Sequence, residues 1–181
     1  NFFNFSNELL KKKINLGLDL QGGSYLLLEI DNTPVIEQKL QNFTITIRNY
    51  FKEKKIKIIN LKLVDQKLSF SADEKFKQKI LDVFNDKESD LNPYYPRFKS
   101  HELDIVEENN NFIVNYSKQG IIELKISSQD QALEIVRRRI DEIGTNEPNI
   151  LKRGNDRILV ELPGLDDPMR IKSLLGKTAN L

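Results

Sequence analysis

The stretch Gly17-Leu-Asp-Leu-Gln-Gly22-Gly-Ser24 comes close to the phosphate-binding pattern G-x-x-x-x-G-K-[ST], so nucleotide chemistry is the first activity to test against the sequence. In that pattern a lysine carries charge to the β and γ phosphates, and a strand passes straight into a helix. Here Gly23 stands where the lysine is required and β-prone residues follow, so the glycines read as backbone features of a strand. Arg137-Arg-Arg139 is the most basic patch. Consecutive helical residues point about 100° apart, so the three cannot form one surface. One should flank the core and pair with Asp141, Glu142 or Glu134, and the others should face solvent. An RNA-binding sheet would also carry stacking aromatics on its strands, and Arg157-Ile-Leu-Val-Glu-Leu162 has none.

Acid–base chemistry needs carboxylates that converge in a cleft with separated pKa values. Asp166-Asp167 reads instead as the start of a helix, and Glu107-Glu108 as part of a polar hairpin. His101 is the lone histidine and cysteine is absent, which excludes disulfides, thiolate metal sites and thiol nucleophiles. Zinc would need a carboxylate-rich site. These residues predict no catalytic group, no cofactor and no metal. Tyr94, Tyr95 and Phe98, in a proline-flanked loop, are the candidate partner contacts, unless they cover a core of their own.

The chain has 181 residues, with 28 Lys+Arg against 27 Asp+Glu, a formal net charge of +1 and 39% apolar residues. That length can bury on the order of 70% of the unfolded surface, enough for one core or two small ones. Near-neutral charge supplies no global field for a polyanion, which argues against nucleic acid as a partner. The longest apolar run, Tyr25 to Leu28, falls far short of the ~20 residues that cross a bilayer. Asn1 opens no signal peptide, and Leu181 falls where another strand is expected; both ends read as cut from a longer chain.

Asn15 to Asp31 reads as a strand in which Gly22-Gly23 marks a bulge or a close backbone approach. Thr33-Pro34 supplies an N-cap and a proline at the first helical position, followed by Ile36, Leu40, Phe43, Ile47 and Tyr50 at helical spacing. Lys55 to Val64 and Lys67 to Ala72 predict strands around a turn at Asp65-Gln66. Asp73 caps a helix with the stripe Phe76, Ile80, Val83 and Phe84. Asn92 to Pro96 is a loop, and Leu103 to Tyr116 a hairpin turning at Asn109 to Asn111.

Ile122, Ile126, Leu133, Val136, Ile140 and Ile143 keep one helical stripe if Gln129 fills the missing step, which starts a helix near Ser117. Read locally, Ile122, Leu124 and Ile126 also alternate like a strand. Gly144 ends the helix, and Pro148 to Lys152 and Arg157 to Leu162 are strands joined by Arg153-Gly154-Asn-Asp156. Pro163-Gly164 breaks the chain, and Asp167-Pro168 opens a last helix through Leu175. The expected class is α+β, a ferredoxin-like βαββαβ base (15–31 and 117–181) with an inserted second small α+β subdomain (32–116).

Asn15-Leu-Gly-Leu-Asp-Leu-Gln-Gly-Gly-Ser-Tyr-Leu-Leu-Leu-Glu-Ile-Asp31 resembles the opening signature of the SecD family, membrane subunits of the bacterial Sec protein translocase. Ala132 to Asn180 is similar to the same family through Ile135-Val-Arg-Arg-Arg-Ile-Asp-Glu-Ile-Gly-Thr-Asn-Glu-Pro148, Arg153-Gly-Asn-Asp-Arg-Ile-Leu-Val-Glu-Leu-Pro-Gly164 and Leu175-Gly-Lys-Thr-Ala179. The stretch between matches only in length and α+β character.

The resemblance implies a fragment of the first periplasmic (P1) domain, with residues 1–14 as a juxtamembrane segment, and it favours the long helix from Ser117 to Ile143. It implies a non-enzymatic role in which the subunit, with SecF, pulls or holds unfolded preprotein outside the SecYEG channel, driven by the proton gradient. YajC and YidC are implied as further partners, and the full-length protein as a multi-pass protein whose domain lies on the periplasmic face of the inner membrane. Gly17, Asp19, Gln21, Gly22, Gly23, Arg139, Asp141, Gly144, Pro148, Gly154, Arg157, Pro163 and Gly164 then read as structural motif residues. The alternative is a cytoplasmic ferredoxin-like ligand-sensing or regulatory module, which the fold alone would permit.

Overall fold

Residues 23–144 and 147–164 are described by a computed structural model of the chain. They divide into two compact units, one made of Glu29–Ala132 with Gly154–Asp156, the other of the described parts of 1–28, 133–153 and 157–181. The expected last helix at 167–175 lies outside the described residues. Both units mix helices and strands, so the chain is α+β.

In the first unit, helix α1 (Thr33–Glu53) buries Ile36, Leu40, Ile47 and Phe51. Phe51 takes the place expected for Tyr50, because four residues beyond Ile47 lie about 40° off its direction and three residues about 60°. Thr33 is the first helical residue and not the cap; its N–H donates to Asp31 Oδ1 at 2.9 Å. The helix stops with Lys55 at φ 56° while Ile56 N–H reaches back to the Phe51 carbonyl at 2.8 Å. That stop uses residues expected to belong to a strand, so β2 begins later (Ile58–Val64).

β2 pairs with β3 (Lys67–Ala72) across Asp65 and Gln66, both at positive φ, the geometry of a two-residue hairpin turn. β2 also carries a bulge between Ile59 and Lys62, with Asn60 at φ 56°. Asp73 caps a single 3₁₀ turn (Glu74–Phe76), and helix α2 (Lys77–Asn85) follows, burying Ile80 and Phe84. Phe76 and Val83 are half-buried. The proline-flanked segment expected as loop forms a short ribbon, β4 (Tyr94–Tyr95) paired with β5 (Ser100–His101).

β6 (Leu103–Glu108) and β7 (Asn111–Tyr116) form a second hairpin whose turn is Asn109-Asn110 alone, since Glu108 already pairs with Asn111. The antiparallel sheet runs β2-β3-β7-β6. Leu68, Phe70, Phe112 and Val114 meet Ile47, Phe51, Ile80 and Phe84 in the core, where the Phe70 and Phe112 rings stack at 5.1 Å.

Helix α3 (Lys118–Ile143) settles the open choice over its first turns in favour of helix. Its stripe differs from expectation. Ile122 and Ile126 are each 37% exposed while Leu124 is buried with Ile36 and Leu40. Gln129 is buried as the missing step required, its Nε2 donating to the Gly154 carbonyl at 3.1 Å. Leu133, Val136 and Ile140 are buried in the second unit. One unbroken stripe fails because each half of the helix answers to its own core.

The second unit contains β1 (Gly23–Glu29), β8 (Asn149–Arg153) and β9 (Arg157–Pro163) in the order β1-β9-β8, with β8 and β9 antiparallel. β9 is the middle strand and buries Ile158, Leu159 and Val160 in succession and Leu162 beyond the half-buried Glu161, so both of its faces carry buried apolar residues.

Candidate interaction surfaces

A polar knot joins the ribbon, the start of β6 and the start of α3. Asn92 is buried, and its amide contacts the Phe84 carbonyl at 2.8 Å and both backbone groups of Leu103. His101 Nδ1 lies 3.2 Å from the Asn92 carbonyl, and its ring packs 4.8 Å from that of Tyr94. Ser117 donates from Oγ to the His101 carbonyl at 2.6 Å and accepts from Gly120 N–H at 2.9 Å, capping α3. Gly120 lets the helix approach: a Cβ there would sit 2.1 Å from the Glu102 carbonyl oxygen. Ser117 stands where the helix is expected to begin, whereas the roles of Asn92 and Gly120 carry no periodic signal, since each acts through contacts at a single position.

Two tyrosines border the knot. Burial, followed by the charges of Glu102 and Glu123, pushes the Tyr95 hydroxyl up to about 12. Burial and Glu102 push Tyr116 up to about 12 as well. Tyr94 and Tyr95 are half-buried, whereas Phe98 is 46% exposed, with Arg97 over its ring.

Arg137 pairs with Glu134 at 2.9 Å on the surface, Arg138 is exposed and Arg139 is half-buried. Asp141 is exposed, and Gly144 ends α3 at φ 71° with its N–H on the Asp141 carbonyl. Pro148 and Pro163 are half-buried beside β8 and at the end of β9, and Arg157 is exposed at the start of β9. Gly154 and Gly164 have φ of 60° and 73°. Gly23 opens β1 at φ 153°, while Gly17, Asp19, Gln21, Gly22, Asp166 and Asp167 lie outside the described residues.

Glu107 pairs with Lys77 and accepts from Asn110 N–H, so it is engaged in the fold while Glu108 is exposed. A cleft of about 390 Å³ beside Asp65, Lys67, Tyr116 and Ile121 has no histidine, serine or threonine in its lining. Among the described residues no group of three His, Asp or Glu could hold a metal, and no helix is long and apolar enough to cross a membrane.

Comparison with known proteins supplies what the geometry alone does not. Residues 129–181 match the N-terminal part of the P1 domain of protein translocase subunit SecDF, and residues 9–34 match the SecD/SecF GG motif. Proteins named protein translocase subunit SecD are 36% identical over 97% of this chain in Rickettsia bellii, 34% over 100% in Rickettsia conorii, and 34% over 94% in Acetobacter pasteurianus. The chain is similar to SecD proteins along nearly its whole length. It spans about a third of the length of these SecD relatives, 32% to 33%. Their alignments also run through residues 32–116. No solved structure gives a significant match.

Proposed function

We propose that the chain is part of the first periplasmic domain of a SecD-type export subunit, and that with SecF and the SecYEG channel it supports proton-gradient-driven movement of unfolded preproteins. The observation that carries this reading is the pair of family matches near the two ends, joined by 36% identity over 97% of the chain. SecD is a protein translocase subunit, a transport component and not an enzyme. On this reading the chain stands on the periplasmic face of the inner membrane, next to YajC and YidC, held there by segments of the longer protein.

The order β1-β9-β8 supports a ferredoxin-like base, since the first, third and second strands of a βαββαβ unit lie in that order. Residues 15–31 and 117–181 form that base in our reading, and 32–116 the inserted subdomain. Gly23, Gly144, Gly154 and Gly164 then serve as turning points of the scaffold, and Phe98 with its neighbouring tyrosines as a partner contact. The test is site-specific photo-crosslinking in the full-length membrane-embedded protein engaged with a stalled secretory chain, with probes at Phe98 and Leu151, which are exposed in the two units. Adducts to the secretory chain are expected. Their absence at both positions during active export would overturn the proposal.

A further inference from the structure

The four-stranded sheet has two edges, β2 and β6. On β2 the bulge at Asn60 interrupts the row of backbone groups, a common way of blunting an edge. β6 is continuous: all its residues pair in unbroken register with β7. Leu103 turns its N–H and C=O away from β7 onto Asn92, at 2.8 and 2.9 Å. Direction alternates along an antiparallel strand, so Ile105 and Glu107 also turn theirs outward. The cover given by Asn92 ends at Leu103, and among the described residues no other backbone group pairs with the outward N–H of Ile105 or Glu107.

The side chains beside this open edge follow a pattern. Asp104, Val106 and Glu108 are exposed and share the face away from the core, with Val106 50% exposed and paired with Ile113. Glu107 points the other way and is neutralised by Lys77. The outer face of β6 is therefore acid, aliphatic, acid. An added strand would set its own side chains against these at alternate positions.

We infer that the edge of β6 binds an extended stretch of the transported polypeptide by strand addition, selecting stretches in which every second residue runs basic, aliphatic, basic. This rests on the export reading above, which supplies an unfolded chain as occupant. Backbone hydrogen bonds to Ile105 and Glu107 hold any sequence. Charge pairing at Asp104 and Glu108 sets the preference.

The test titrates an acetylated peptide containing Lys-Thr-Val-Thr-Lys, which sets lysine, valine and lysine on one face, into the 181-residue chain, followed by amide NMR shifts. Saturable binding with shifts at Ile105 and Glu107 is expected. Peptide N-methylated at the bonding amides should not bind. The double variant Asp104→Lys/Glu108→Lys changes only exposed side chains; it should bind about tenfold more weakly and instead accept a peptide containing Glu-Thr-Val-Thr-Glu. Equal binding of the methylated peptide, or no effect of charge reversal, overturns the inference.

In the full-length protein, a photo-crosslinker at Val106 should capture a stalled secretory chain, while one at Val64, 60% exposed on β2, should not. Secretory adducts at Phe98 without any at Val106 would overturn the β6 assignment and leave the export reading standing. Peptide binding without secretory adducts at any probed position would overturn the export reading and, with it, the identity of the occupant.

Discussion

Asn92 stands in for a strand beside Leu103: its Oδ1 accepts from the Leu103 N–H at 2.8 Å and its Nδ2 donates to the Leu103 carbonyl at 2.9 Å. The same Nδ2 donates to the Phe84 carbonyl at the end of α2. One buried amide thus satisfies three backbone groups from two elements.

Asn92→Ala should lower stability by about 2–4 kcal/mol, because it leaves those three groups without their partner. Asn92→Asp keeps the acceptor but loses the donor and buries a carboxylate, so it should be no better. Urea unfolding reads both effects. A midpoint equal to the parent's in either variant would refute the assignment.

Gly120→Ala sets two effects against each other. Alanine is favoured over glycine within a helix by about 1 kcal/mol. The added Cβ, however, would lie 2.1 Å from the Glu102 backbone oxygen, which has no flexible side chain to give way. The clash should win, for a net loss of about 2–3 kcal/mol, seen as a lower midpoint in the same unfolding assay. A stabilised variant would show that α3 does not come this close.

Gly23→Val tests the start of β1, where φ is 153°. A β-branched residue in that region is strained, and a loss of about 1–3 kcal/mol is expected. An unchanged urea midpoint would contradict it.

Much of this fold was legible as periodicity. Ile36, Leu40 and Ile47 mark the buried face of α1, and the positive-φ pair Asp65-Gln66 falls where turn-forming residues separate two β-prone runs. Periodicity failed where one helix serves two cores: Ile122 and Ile126 share a spacing with Leu133 and Ile140, yet Leu124 is the residue buried. It could not find the knot either, because Asn92 and Gly120 act through single hydrogen bonds or a single close approach between segments distant in sequence. The candidate surface on β6 was hidden for a related reason. An edge strand and a central strand alternate alike, and only pairing tells them apart.

Acid should weaken the unit that contains Asp31, Asp73 and Glu107. The Thr33 backbone N–H, a hydrogen bond from Lys75 and a hydrogen bond from Lys77, respectively, hold these carboxylates below their ordinary values of 3.8, 3.8 and 4.5. With folded values depressed, the unfolded chain binds more protons. Their contribution is present above the ordinary values and is lost as pH falls through the depressed ones. Unfolding midpoints measured from pH 7 down to pH 2 should decline, and Glu107→Gln should flatten the decline; an equal slope in that variant would remove Glu107 from the account.

Base acts through Tyr95 and Tyr116, raised from 10.0 to about 12. Here the folded state keeps protons that the unfolded state has released, so stability should fall as pH rises from about 10 to about 12. Tyrosinate absorbance should show two late-ionising groups, and Tyr95→Phe should remove one. Two groups still titrating late in Tyr95→Phe would place the effect elsewhere.

The way the sheet is threaded also bears on how fast the chain reaches its native state. Each two-residue hairpin is local and can form in about 1–10 μs. Joining them brings β3 to β7, whose residues Ser71 and Asn111 are 40 apart in sequence, so the stacked pair Phe70 and Phe112 meets only after a long loop has closed. Each hairpin can therefore form ahead of that meeting, and the encounter of the two rings becomes the slow event that sets the rate of assembly.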